Sequence, residues 1–210
     1  MLRLRHASQI VGRNETPEIL LLNSHDGTSS YQMIAGCFRF VCTNRMVSGD
    51  IEHDIKIPHK GDVVDRVKGA AFEVLDGLTR VVDEVEEMKS VQLHSGEALV
   101  FAQAALQLRY GVDEHGNTNA PIRADQLLRP IRMEDRSNDV WTTFNRVQEH
   151  AIRGGQGGYL ANGRRTSTRQ VTAIDTDVKL NRALWTLAQG MAALKTGGTV
   201  KATNPDLATI

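Results

Sequence analysis

The chain has 210 residues, of which 40% are hydrophobic and 24% are charged, a composition typical of globular proteins that excludes a largely disordered chain. No apolar run reaches the ~20 residues of a membrane helix, and the first residues lack the apolar core of a signal peptide, so we expect a cytoplasmic protein. The 25 basic and 25 acidic side chains give a formal net charge of zero, which excludes a uniformly basic nucleic-acid-binding chain.

Residues 1–60 predict an antiparallel sheet. Leucine and arginine alternate at 2–5, and 18–23 is a short aliphatic run, as in a buried strand. A longer apolar segment follows at 31–43, and 50–58 alternates isoleucine with polar residues until a proline. This two-residue period is typical of strands with one buried face.

Residues 63–89 predict one long helix, with Asp62 as its N-cap. Its apolar residues follow the three- and four-residue spacing of a heptad seam; they are Val64, Val67, Ala71, Val74, Leu78, Val81, Val85 and Met88. Two interpretations stay open. The seam packs against the protein's own sheet, or it joins the subunits of a homo-oligomer.

Residues 95–196 are predicted to be mainly helical. The expected helices are 97–109 capped by Ser95, a short turn at 123–128, a helix from Asp139 to the glycines at 154 and 155, and 176–195 capped by Asp175. In the third helix an apolar face is formed by Trp141, Phe144, Val147 and Ala151. The sequence therefore predicts a single α+β domain, 1–196, and a flexible tail, 197–210.

Catalytic candidates are weak in this sequence. His25 and Asp26 are adjacent but lack an identifiable third partner, and Asp26 precedes a glycine in a turn pattern. His53 and His59 do not have the spacing of a zinc pair. Since no glycine-rich phosphate loop occurs either, we expect no cofactor, no metal and no catalytic residue.

A magnesium-dependent nuclease remains an alternative. Asp50, Glu52, Asp54 and Lys56 alternate along one predicted strand, and carboxylates beside a lysine can hold Mg²⁺ and steady a phosphate. The competing interpretation is the solvated face of an edge strand.

A basic, glycine-rich loop at 154–171 is the stronger functional candidate. Arg164, Arg165 and Arg169 supply guanidinium groups that bind phosphate oxygens, and Tyr159 can stack on a base. The region around this loop is also basic, with thirteen basic and seven acidic residues from 123 to 201. The segment is predicted to be a mobile loop in either case, and the alternative to DNA binding is that its arginines are simply solvated.

Further basic residues extend this prediction. Arg153 precedes the basic loop, and Arg39, Lys56 and Lys60 belong to the predicted sheet region. We expect them to contribute more weakly to a positive surface.

Several motifs resemble one known family. They are NSHDGTSS at 23–30, GCFRFVCTN at 36–44, WTTFNRVQE at 141–149, NGRRT at 162–166 and DVKLNRALW at 177–185. They resemble the uncharacterised phage- and plasmid-like family catalogued as domain of unknown function 932, over nearly the whole chain. Members of that family carry a further N-terminal segment, so we expect this chain to be a shortened form.

The resemblance implies an accessory protein of mobile elements. The family has a remote similarity to ring-forming annealing recombinases of the Rad and Red-beta type, which pair a sheet with a long helix and bind single-stranded DNA in a basic groove. It implies ATP-independent binding and annealing of single-stranded DNA by a homo-oligomer. A different class also remains open, an inhibitor of a host defence complex in which the acidic helix binds a host protein.

Overall fold

A computed structural model of the chain describes residues 2–5, 15–22, 31–39, 54–57, 69 and 80–198. The chain divides into two compact units, Met1–Val85 and Glu86–Ile210. The mixed α+β class and the helical C-terminal part are confirmed. The single domain predicted over 1–196 stays a prediction.

The described strands of the first unit form an antiparallel sheet in the order β1-β2-β3-β4. Their bounds are Leu2–Arg5 for β1, Glu15–Leu22 for β2, Tyr31–Arg39 for β3 and Asp54–Ile57 for β4. Leu2 pairs with Leu21, and Ile19 pairs with Ala35. Each strand thus pairs with the next in sequence.

Helix α1 comprises helical residues 80–90. Val81, Val85 and Met88 are all buried at the spacing predicted for the apolar seam. The seam residues from 64 to 78 lie outside the described residues. Packing of this helix against the sheet therefore stays a prediction.

The second unit is helical apart from one hairpin. Its elements are α2 Ser95–Tyr110, α3 Ala124–Leu127, a 3₁₀ helix Met133–Arg136, α4 Val140–Arg153, β5 Gly157–Tyr159, β6 Arg165–Ser167 and α5 Ile174–Thr196. Helices α2, α4 and α5 pack on one another. No helix in the described part of the chain is long and apolar enough to cross a membrane.

The helix starts show which local predictions were correct. Asp139 caps α4 through a 2.7 Å hydrogen bond that the Thr142 amide donates to its Oδ1, as predicted. The N-cap of α2 is His94 and not Ser95, and its amide donates to the Glu97 carboxylate at 2.7 Å. The N-cap of α5 is Ala173, so Asp175 lies inside the first turn.

The core of the second unit centres on three aromatic rings. Trp141 and Phe144 of α4 stack at 5.7 Å, and the Trp185 ring of α5 meets both edge-on, at 6.0 and 5.8 Å. All three side chains are at most 1% exposed. Offset and edge-on pairs of this kind add about 0.5–1.5 kcal/mol each beyond burial of their area.

Helix α4 is buried except at its last residue, Arg153. Every residue from Val140 to Ile152 is buried, including seven polar or charged ones. Buried polar groups must be hydrogen-bonded to be tolerated. One such bond joins the helices, since Gln148 Nε2 donates to Asn181 Oδ1 of α5 at 2.5 Å.

Candidate nucleic-acid interface

The basic segment forms a β-hairpin. Strands β5 and β6 pair antiparallel, with Gly158 opposite Thr166 and Tyr159 opposite Arg165. The tip is closed by a bond from the Leu160 amide to the Arg164 carbonyl at 2.9 Å. This differs from the mobile loop predicted for the segment.

The free edge of β5 lies against residues 121–126. The Tyr159 amide donates to the Pro121 carbonyl at 2.8 Å, and Gln126 Nε2 donates to the Gly157 carbonyl at 2.9 Å. A Cβ atom at Gly158 would stand 1.9 Å from the Pro121 oxygen. Only glycine allows this approach, so β5 is held with a fixed face outward.

The outer face carries the predicted ligand-binding side chains. Tyr159 is 62% exposed, and its cross-strand partner Arg165 is exposed as well. Arg164 is exposed at the start of the return strand, and its amide donates to the Asn162 side chain at 3.1 Å. The hairpin therefore exposes an aromatic ring and two guanidinium groups to solvent, and we call this exposed surface of Tyr159, Arg164 and Arg165 the hairpin face.

Backbone contacts fix the base of the hairpin. The Gly155 amide donates to the Thr168 carbonyl at 2.8 Å, and the Thr168 amide donates to the Gln156 carbonyl at 2.9 Å. Gly154 has a φ of +68°, and a Cβ there would lie 2.6 Å from the carbonyl carbon of Arg169. Residues from 154 to 169 are therefore tied together directly after α4.

Arg169 follows the hairpin and is exposed. Its carbonyl accepts a hydrogen bond from Arg109 Nη2 of α2, which leaves the Arg169 side chain outside that contact. Arg169 thus follows Arg164 and Arg165 in the chain, and its backbone is anchored to α2 by the bond from Arg109.

Arg153 has a different environment. It ends α4, and its Nη1 lies 2.5 Å from Glu149 Oε1. Glu149 is 1% exposed and also receives two bonds of 2.7 Å from the Arg132 guanidinium. Arg153 therefore helps to neutralise a buried carboxylate, and its charge is less available to a ligand than that of Arg165.

Arg146 is a buried cation in the same helix. Its side chain is 6% exposed, and its Nη2 donates to Thr143 Oγ1 at 3.1 Å and lies 3.4 Å from Asn138 Oδ1. Burial lowers the pKa of the Arg146 guanidinium, and the charges of Asp135 and Asp139 oppose that effect. The Arg146 side chain therefore makes contacts inside the second unit and does not extend the hairpin face.

The remaining predicted residues belong to the first unit. The backbone places Arg39 opposite Glu15 at the end of β3, and Lys56 opposite Gln32 in β4. Lys60 lies outside the described residues. The structure gives no grounds for joining these three residues to the hairpin face.

The nuclease alternative gains no support from the described residues. Asp54 and Lys56 share one face of β4, two positions apart, whereas Asp50 and Glu52 lie outside the described part. Among the described residues, no group of three or more histidine, cysteine, aspartate or glutamate side chains has a geometry suited to a metal ion.

The sequence did not single out a cavity below the hairpin. It is open to solvent, has a volume of about 280 Å³ and lies between the end of α2, the 170–173 connection and the start of α5. Arg109, Tyr110 and Thr176 are among its lining residues. These residues are far apart in sequence and follow no local pattern, so only the tertiary structure reveals them.

Comparison with known proteins gives a family but no described activity. A family model described as "Domain of unknown function (DUF932)" matches residues 1–185. The chain is 50% identical over 189 residues to the UPF0380 protein YfjQ of Escherichia coli strain K12, covering 90% of this chain and 67% of that protein. It is 49% identical over 191 residues to the UPF0380 protein YafZ of the same strain, covering 91% and 68%.

No solved structure matches the chain significantly. The family model covers far more than half of the 210 residues, and both relatives match across nine tenths of them. The motifs at 23–30, 36–44, 141–149, 162–166 and 177–185 all fall within the matched range. The chain therefore belongs to the DUF932 family.

Proposed function

We propose that this protein binds single-stranded DNA through the hairpin face and anneals complementary strands without ATP, as a homo-oligomer. The observation that carries the proposal is the cross-strand pair of Tyr159 and Arg165 on an outward surface. An aromatic ring stacks on any base, and a guanidinium group binds the adjacent phosphate. Together they suit an unpaired strand, whose bases are exposed.

Charge supports an anionic ligand. The hairpin segment from 154 to 171 contains Arg164, Arg165 and Arg169 and no acidic residue. The three side chains are exposed. Single strands release bound counterions when cations neutralise their phosphates, so such a segment gains binding free energy from a DNA backbone.

Anchoring of the hairpin supports the same proposal. Its inner strand is bonded to the Pro121 carbonyl and its base to Thr168, so the outer side chains are presented by a fixed backbone. A preorganised surface loses less conformational entropy on binding than a mobile loop does.

The annealing and oligomer parts rest on other support. They follow from the expected resemblance to Rad- and Red-beta-type recombinases, which stays part of the proposal, and from the strand-to-long-helix order, in which the 63–89 helix would back the sheet. Order of elements is a fold-level analogy. Annealing of complementary strands should therefore be assayed after binding has been measured.

The first experiment titrates a fluorescently labelled oligo-dT with protein and follows anisotropy at several salt concentrations. The wild type should bind, and replacement of Arg164, Arg165 and Arg169 by alanine should weaken binding. The slope of log K against log salt should fall by about 2, since each phosphate contact contributes about 0.7 for a single strand.

Arg136→Ala is the matched control. Arg136 is exposed on the 3₁₀ helix, outside the hairpin, so its loss should leave the slope almost unchanged. An equal effect of the control and the triple variant would show only general charge attraction and refute the site. No binding of the wild type at low salt would refute the proposed function, and a pulldown from nuclease-treated host lysate would then test for a protein partner.

A further inference from the structure

The cavity below the hairpin has the character of a small-ligand site. At about 280 Å³ it falls just below the roughly 300–1,000 Å³ of pockets for drug-sized molecules. Apolar side chains, Val171 and Leu180 among them, form much of the lining. A flat ring system smaller than a drug-sized molecule matches this size and surface.

One wall is built from adjacent residues at the end of α2. The Arg109 guanidinium lies over the Tyr110 ring, 5.1 Å from its centre. Arg109 Nη2 also donates to the Arg169 carbonyl, so the stacked pair is fixed in place. A planar pair of this kind is a surface on which a further ring can stack.

Other lining residues supply polar groups. Thr172 and Thr176 line the cavity, and each hydroxyl can donate and accept a hydrogen bond. Gln170 adds an amide. A pocket that is mainly apolar, with a few donors and acceptors, recognises the edge of a neutral ring.

The one charged side chain of the lining is already engaged. Arg109 lies over the Tyr110 ring, and its Nη2 donates to the Arg169 carbonyl. The other lining residues are uncharged types. A neutral ring fits this lining, because the uncharged groups offer stacking and hydrogen bonds to its edge.

We propose that this cavity holds one nucleobase of the single strand bound by the hairpin face. The inference rests on the proposed function and specifies where a base is taken up. Arg169 links the two sites and supports the inference. It follows the hairpin arginines in sequence, and its carbonyl accepts a hydrogen bond from the cavity residue Arg109. Phosphates on the arginines would then flank a base turned into the cavity.

The experiment uses a short oligo-dT with a single central 2-aminopurine, titrated with the full-length protein. Emission should change on binding to the wild type as the base enters the cavity. Tyr110→Leu removes the stacking ring and should abolish most of the emission change. It should also weaken affinity by about five- to a hundredfold, the range for loss of one base–aromatic contact.

Thr176→Val keeps the inference testable if Tyr110→Leu impairs folding. Thr176 is exposed, so valine should be tolerated there, and the emission change should shrink together with a several-fold loss of affinity. Tyr159→Leu is the control, because it alters the hairpin face and leaves the cavity intact. It should weaken binding but keep the emission change of the saturated complex.

The outcomes separate the two proposals. Binding that depends on the hairpin arginines, with an emission change unaffected by Tyr110→Leu and Thr176→Val, would overturn the base site and leave the proposed function standing. Failure of the oligonucleotide to bind at all would overturn both.

Discussion

Gly158 of β5 approaches Pro121 so closely that a Cβ atom on the glycine would lie 1.9 Å from the proline carbonyl oxygen. The next amide, that of Tyr159, donates to the same oxygen. The contact thus fixes the strand that carries the aromatic residue of the hairpin face. The hairpin face therefore requires glycine at position 158.

Gly158→Ala should therefore displace the hairpin. The added methyl group cannot fit beside the Pro121 oxygen, so β5 must move away and lose the Tyr159 bond. We expect DNA affinity to fall by about tenfold, the equivalent of one lost stacking contact, measured by anisotropy. Gly157→Ala is the matched control, since a Cβ there has nothing within 4 Å; equal effects of the two changes would contradict the anchoring role.

Tyr159→Leu should weaken binding of single-stranded DNA without changing its salt dependence. The ring contributes stacking, worth about 1–3 kcal/mol per base, and leaves phosphate contacts to the arginines. Tyr159→Phe retains the ring and should bind nearly as well as the wild type. If the phenylalanine variant were as weak as the leucine variant, the hydroxyl and not the ring would make the contact.

Glu149→Gln should destabilise the second unit. The carboxylate is buried between Arg132 and Arg153, and neutralising one member of a buried ion pair costs about 3–5 kcal/mol. Urea unfolding followed by circular dichroism should show a lower midpoint. Glu114→Gln, in an exposed loop, should leave the midpoint unchanged, and a similar midpoint for both variants would argue against the buried network.

Acid should weaken the link between α2 and α5. The hydrogen bond from Lys195 lowers the pKa of Glu97 from its usual value of 4.5, and the His94 amide contributes in the same direction. A carboxyl with a lowered folded-state pKa contributes stability above its unfolded pKa, and this contribution is lost as pH falls through the folded-state value. The difference in unfolding free energy between wild type and Glu97→Gln should thus be present at neutral pH and vanish in acid.

The measurement is urea unfolding of both proteins at several pH values from neutral to below 4.5. The Lys195 bond is 2.9 Å long, and the pair is partly exposed, so salt should reduce the difference at neutral pH. A difference that persisted unchanged in acid would show that the glutamine acts through something other than the lost charge.

The parts of the fold that follow from local chemistry were predictable. Asp139 is a good N-cap residue, and the spacing of three and four residues between Phe144, Val147 and Ala151 predicted that these side chains of α4 are buried. The start of α5 was misplaced because Asp175 is also a good cap residue, while the actual N-cap Ala173 has no side-chain cap. Propensity cannot choose between such neighbours when packing decides the boundary.

The hairpin and the buried ion pair of Arg132 with Glu149 could not be predicted from the sequence, because both depend on contacts between residues that are distant along the chain. The glycines at 154–171 have low strand propensity, and β5 is held by a bond to Pro121, far away in sequence. Arg132 and Glu149 are separated by 17 positions, so no periodicity links them. The sequence identified the arginines as ligand-binding candidates but could not show that Arg165 lies opposite Tyr159.

Burial of α4 on every side has a consequence for motion. From Val140 to Ile152 the helix has no exposed side chain, so local opening of this stretch must break many contacts together. Its amide protons should be among the last of the second unit to exchange with deuterium. Strand β5 of the hairpin begins three residues after this helix's C-cap glycine, so the candidate interface is attached directly to the part of the unit that should open least.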